Sequence, residues 1–128
     1  MSADLQYLLW SVILCFGQVV VAAIGANTQV GLPALAGNRD AVPPIGGWAG
    51  RAKRAHANML ESLPLFAALV LIAVVAQKTN ATTAMGAALF FWARLAYAIV
   101  YVVGVPWLRT AVWAVSIVGM LLIALQLL

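Results

Sequence analysis

Charge is scarce in this chain. Three carboxylates (Asp4, Asp40, Glu61) and seven Lys or Arg are spread over 128 residues, 8% charged in all. Soluble domains run near a quarter charged, so a water-exposed globule is excluded. Cysteine is almost missing: Cys15 stands alone, which rules out an intrachain disulfide and leaves a small hydrophobe inside an apolar segment. One cysteine and one histidine (His56) cannot build a conventional zinc or haem site, so no metal is expected. There is no P-loop or dinucleotide glycine pattern. Ser11, Ser62 and Ser116 have no evident His–acid partners. The net charge of +4 rests on too few residues to point to nucleic acid. In such a chain the cations chiefly set orientation in a membrane.

What fills the chain is apolar. Hydrophobic residues make up 66% and the mean hydropathy is +1.05. Crossing a bilayer takes roughly 20 helical residues. Four stretches meet that length, at about 5–24, 52–76, 82–103 and 107–127. The expected fold is therefore an all-α integral membrane protein, a bundle of four transmembrane helices forming one domain over 1–128. The first stretch has Asp4 and no Arg or Lys before it, so it lacks the basic n-region of a signal peptide and reads as a retained helix.

The only long connection is 25–50. It holds Pro33, Pro43, Pro44 and six glycines (Gly25, Gly31, Gly37, Gly46, Gly47, Gly50), so it cannot be helical throughout. The other connections, Gln77–Ala81 and Gly104–Pro106, are short and make neighbouring helices antiparallel. Arg39, Arg51, Lys53, Arg54 and Arg109 lie on the side of the long loop, and Lys78 on the other. The positive-inside rule places the loop in the cytoplasm and both termini on the opposite side. Trp48 and Trp107 would anchor the cytoplasmic interface.

Polar residues recur at helical spacing on two of the spans. Arg54, Asn58 and Glu61 share one face of the second, and Arg94, Tyr97 and Tyr101 one face of the third. Glu61 is ten residues in from Arg51, and Arg94 ten residues in from Gly104. At 1.5 Å per residue both lie about 15 Å deep, near the middle of an apolar core of about 30 Å. The residue numbers of Glu61 and Arg94, of Asn58 and Tyr97, and of Arg54 and Tyr101 add to one total. The two helices thus bring opposite charges level where a lone charge would be costly, and extend a polar ladder from there toward the cytoplasm. Glu61 and Arg94 can serve as a structural pair that fixes helix packing. The rest of the ladder suits a small zwitterionic or anionic ligand.

Pro64 is expected to kink the second span just beyond Glu61 and widen the space between helices. Arg109, after the Gly104–Pro106 turn, reads either as an interfacial anchor or as a guanidinium at the mouth of the ladder, where it would hold a thiolate. His56 lies about 200° round from Arg54, facing a neighbour or the headgroups. Lys53 and Lys78 read as solvated or lipid-facing.

Arg51-x-x-Arg54-Ala55-x-x-Asn58-x-x-Glu61-x-x-Pro64-x-Phe66 resembles the signature of the MAPEG superfamily, membrane-associated proteins of eicosanoid and glutathione metabolism. Arg94-x-x-Tyr97-x-x-x-Tyr101, then a short turn and Arg109-Thr110, resembles its second conserved region. The likeness spans essentially the whole chain. It implies a homotrimer with glutathione bound between adjacent subunits, at the cytoplasmic ends of the second to fourth helices. By position, Arg54, Asn58, Glu61, Tyr97, Tyr101 and Arg109 would contact glutathione, with His56 contributing. Arg109 would stabilise the thiolate and Tyr101 hydrogen-bond it, and Arg94 would support the site from inside. In a trimer, Glu61 and Arg94 can meet within or between chains. The short form resembles bacterial members, whose place is the inner membrane.

Two departures remove positive charge. Gly25-Ala26-Asn27-Thr28-Gln29 holds no cation where some glutathione-using relatives carry an arginine, and Ala57 stands where several have a basic residue. The Pro64 spacing resembles the leukotriene-synthase and lipoxygenase-activating branch.

The resemblance implies a glutathione-dependent transferase or peroxidase acting on lipophilic electrophiles drawn from the bilayer. The alternative is a non-catalytic lipid-binding or scaffold protein of the same fold. A third reading, a four-span drug or proton exporter, wants an unpaired carboxylate, and Glu61 has Arg94 at its own depth. The expected partners are a second and third copy of the chain, membrane lipids and a lipophilic acceptor.

Overall fold

The computed structural model describes residues 1–40 and 42–128. Ala41, inside the expected 25–50 loop, lies outside the described residues. Five helices follow one another among the described residues: α1 (Ala3–Val30), α2 (Leu32–Ala36), α3 (Gly47–Val75), α4 (Ala81–Val103) and α5 (Pro106–Leu127). All but α2 are long and apolar enough to cross a membrane. The molecule is an all-helical integral membrane bundle of four spans.

Local chemistry sets the ends of these helices. Ser2 accepts from the Leu5 N–H at 3.4 Å, with Asp4 in the first turn of α1. At the start of α4 the Thr83 N–H donates to Asn80 Oδ1 and the Asn80 N–H to Thr83 Oγ1, both at 2.9 Å, which satisfies donors that the first turn cannot. Gly104 ends α4 in the left-handed conformation (φ +94°), and Pro106 opens α5, where its missing N–H costs nothing.

The expected 25–50 loop is partly helical. Its first residues continue α1 through Val30, past the expected end at Ile24, and Leu32–Ala36 adds the short α2. Nothing in Gly25–Val30 breaks a helix, and the break comes at Gly31 (φ +81°) with Pro33 just after. Gln29 then closes the loop. Its amide donates to the Gly46 carbonyl (2.7 Å) and accepts from the Gly46 N–H (3.0 Å). The far end is tied as well: Lys78 Nζ donates to the Leu127 carbonyl (3.3 Å), and Asn80 to Gln126 Oε1 (2.9 Å). Pro64 lies inside α3, which runs through it as one helix.

The core lies where α3, α4 and α5 meet, around Met59, Phe66, Val70, Phe90, Met120 and Ile123. Phe66 and Phe90 stack with centroids 3.9 Å apart. α1 covers this core from one side, with Tyr7 and Trp10 against Phe91 of α4. Large apolar side chains such as Phe16, Leu65, Trp92 and Leu121 are exposed all round, a surface suited to lipid. Lipid is as apolar as these side chains, so close packing rather than the hydrophobic effect must hold the helices together. The closest approach is between α4 and α5 at Gly86 and Gly119. A Cβ on Gly119 would stand 2.6 Å from the Gly86 carbonyl oxygen, and one on Gly86 2.5 Å from that of Gly119.

Candidate functional site

The polar residues of α3, α4 and α5 gather at the end of the bundle that holds the 31–46 segment and the Gly104 turn. The register between α3 and α4 places Arg54 beside Tyr101, with the guanidinium carbon 5.9 Å from the ring centre. Arg51, one turn earlier, donates from Nε to the Val102 carbonyl (2.9 Å). That carbonyl belongs to the last turn of α4 and has no partner in its own helix, so a cation there is favourable. The motif gives no hint of this capping role for Arg51, although its match in height with Gly104 can be read from the numbering.

Arg109 reaches the same phenol from α5, with its guanidinium carbon 4.5 Å from the Tyr101 ring centre. It is held by the turn: Gly104 reverses the chain and Pro106 starts α5 at once, so Arg109 falls in the first turn facing α4. Tyr97 meets Tyr101 edge-on at 5.5 Å. One turn deeper the Arg94 guanidinium lies over the Tyr97 ring at 4.3 Å. Cations therefore flank an edge-on pair of tyrosines, in geometry that favours cation–π attraction. The stripe holds three guanidiniums against one carboxylate, Glu61, so it favours a ligand with negative charge.

Two buried polar groups in the stripe have no hydrogen-bond partner among the described residues. Arg94 is 1% exposed, yet none of its three guanidinium nitrogens is bonded, and Asn58 Oδ1 is also unpartnered. The height match between Glu61 and Arg94 does not become contact within one chain: among the described residues no ion pair joins them, and Glu61 is exposed. The numbering sets how deep each residue lies along its helix. It does not set the angle about the helix axis, and that angle turns Glu61 outward.

His56 is placed away from the stripe. It lines a cavity between α1, the 31–46 segment and α3, together with Arg39 and Lys53. Gln18, unremarkable in the sequence beyond being one amide in an apolar run, also has a buried and unpartnered Oε1. It lines an apolar cavity of ≈ 430 Å³ between α1, α3 and α4. Trp48 and Trp107 are exposed at the loop end. No cluster of metal-ligating side chains is found among the described residues.

A family model described as the MAPEG family matches residues 7–128. No curated protein and no solved structure matches the chain.

Proposed function

The chain belongs to the MAPEG family, and on that footing we propose that it is a glutathione-dependent transferase or peroxidase acting on lipophilic electrophiles. Glutathione would sit in the stripe at the loop end, taken as the cytoplasmic side of a bacterial inner membrane. Its carboxylates would face Arg54 and Asn58, its amino group Glu61 and its sulfur Arg109 and Tyr101. The observation that carries the reading is the convergence of Arg109 and Arg54 on the Tyr101 ring. A guanidinium at that place favours thiolate over thiol. The thiolate would attack an electrophilic carbon to form a thioether, either expelling a leaving group or adding to an activated double bond that then takes up a proton. Alternatively it would attack a peroxide oxygen, breaking the O–O bond to release an alcohol and leave a sulfenic acid, which a second glutathione converts to the disulfide with loss of water.

The reading includes a homotrimer. Glu61 is exposed toward any neighbouring subunit, whereas the Arg94 guanidinium is enclosed in its own chain, so a pair between them requires the helices around Arg94 to part on assembly. Removing one partner of a buried pair costs about 3–5 kcal/mol, because the other is stranded. Glu61→Gln is therefore expected to lower the thermal midpoint of the assembled protein, and Arg94→Met to relieve part of that loss. A double-mutant cycle should give a coupling of about 1 kcal/mol or more. Strictly additive effects would remove the pairing from the proposal.

Calorimetric titration of the detergent-solubilised, intact assembly with reduced glutathione tests the function itself. Saturable binding is the expected result. A second reading, a non-catalytic lipid-binding or scaffold protein, draws on the absence of cations from Gly25–Gln29 and at Ala57 and on the apolar cavity beside Gln18. An assembly that binds no glutathione but retains co-purified lipid would favour it.

A further inference from the structure

The opposite side of α3 carries a second set of cations that the thiol site does not use. Arg39, Lys53 and His56 line one cavity of ≈ 550 Å³, within the range of small-ligand sites. Its floor is α1, where Ala22, Ala23 and Ala26 leave room, and Pro43, Pro44 and Ile45 form the far wall. Arg39 is held there by its backbone: it takes a left-handed φ of +66° and its Nε donates to the Leu35 carbonyl at 2.7 Å. Among the described residues no carboxylate lines the cavity, and Asp40 lines a neighbouring one with Arg39.

A second, smaller cavity of ≈ 260 Å³ continues toward the membrane centre between α1 and α3. It is lined by Val12, Cys15, Phe16 and Leu63, and it shares Val19 and His56 with the first. Lys53 and His56 lie six and nine residues inside α3, about 9 and 13 Å along its axis. That is the step from headgroup level into hydrocarbon. A cationic chamber and an apolar groove thus adjoin at Val19 and His56.

We infer that this pair of cavities binds an anionic phospholipid. The phosphate sits with Arg39 and Lys53, His56 stands at the neck, and one acyl chain runs down the groove past Phe16 and Leu63. The charge fixes the head as anionic, and the groove requires a chain attached to it. The inference does not depend on the thiol site: it uses the opposite face of α3 and none of Arg54, Arg94 or Arg109.

Native mass spectrometry of the delipidated full-length protein tests it, with dioleoylphosphatidylglycerol and dioleoylphosphatidylcholine as probes. The anionic lipid should bind at least about tenfold tighter, since each cation near an anionic headgroup is worth about a factor of five. Arg39→Gln with Lys53→Gln should weaken it about thirtyfold on the same basis and leave the phosphatidylcholine affinity unchanged. Ala22→Trp, which fills the chamber and keeps every charge, should also weaken it. Lys78→Gln, at the other end of the bundle, should not. Equal affinities for the two lipids would overturn the inference. So would an unchanged double variant, or an equal loss with Lys78→Gln. Inorganic phosphate binding as tightly as the lipid would show that the groove contributes nothing, and would also overturn it. The thermal midpoint of each lipid-free variant confirms its fold.

Discussion

Gly119→Val is expected to separate α4 from α5 and to cost the protein several kcal/mol. The obstruction is backbone on both sides. A Cβ at Gly119 meets the Gly86 carbonyl oxygen at 2.6 Å and the Phe90 N at 2.9 Å, and neither can rotate away as a side chain would. Alanine alone should cost about 1–3 kcal/mol by overpacking, and the branched valine more. With no hydrophobic drive between helices in lipid, a lost close approach is not regained elsewhere. The damage should also reach the site. Phe90, which the new Cβ strikes, stacks on Phe66, and Arg94 lies one turn beyond.

Gly17→Ala is the matched control. A Cβ there has nothing within 4 Å, so alanine should be neutral or stabilise by about 0.5–1 kcal/mol, the usual gain over glycine within a helix. Thermal unfolding in detergent compares the two. A Gly119→Val protein as stable as the parent would mean that α4 and α5 do not meet as described.

Arg109→Ala should weaken glutathione binding by roughly 30- to 150-fold, the value of a charge-assisted contact of about 2–3 kcal/mol. Arg109 is the nearest cation to Tyr101, at 4.5 Å against 5.9 Å for Arg54, and it is half-buried where Arg54 is exposed. Screening by water is weaker at the less exposed site, so Arg54→Ala should cost less. Arg109→Lys should restore part of the affinity, because it keeps the charge and loses the planar fork. Ultraviolet titration of the bound thiol offers a second readout: the thiolate should form at lower pH in the parent than in Arg109→Ala. An unchanged affinity and thiolate titration in Arg109→Ala would refute the assigned role. Arg109 makes no hydrogen bond from its side chain to the rest of the bundle among the described residues, so the variant should keep its fold.

The four spans, the polar stripe and the short turn at Gly104–Pro106 were legible in the residue order, while the end of α1 and the short α2 were not. Each legible feature rests on local physics. Twenty apolar residues make a span whatever surrounds them, Gly104 and Pro106 end and restart a helix by their own dihedral limits, and residues three and four apart share a face in any helix. Even the height match between α3 and α4 could be read from the numbering, and it places Arg54 at Tyr101 and Arg51 at the last turn of α4. The tertiary structure decided what depends on rotation about a helix axis and on which helix is the neighbour. It turned Glu61 outward and left Arg94 buried without a partner in its own chain. It carried α1 on to Val30, so that Gln29 clasps Gly46. It also gave His56 a cavity of its own beneath the 31–46 segment instead of a place in the stripe. Depth along a helix follows from counting residues. The angle at which a side chain meets its neighbour depends on every other contact in the bundle.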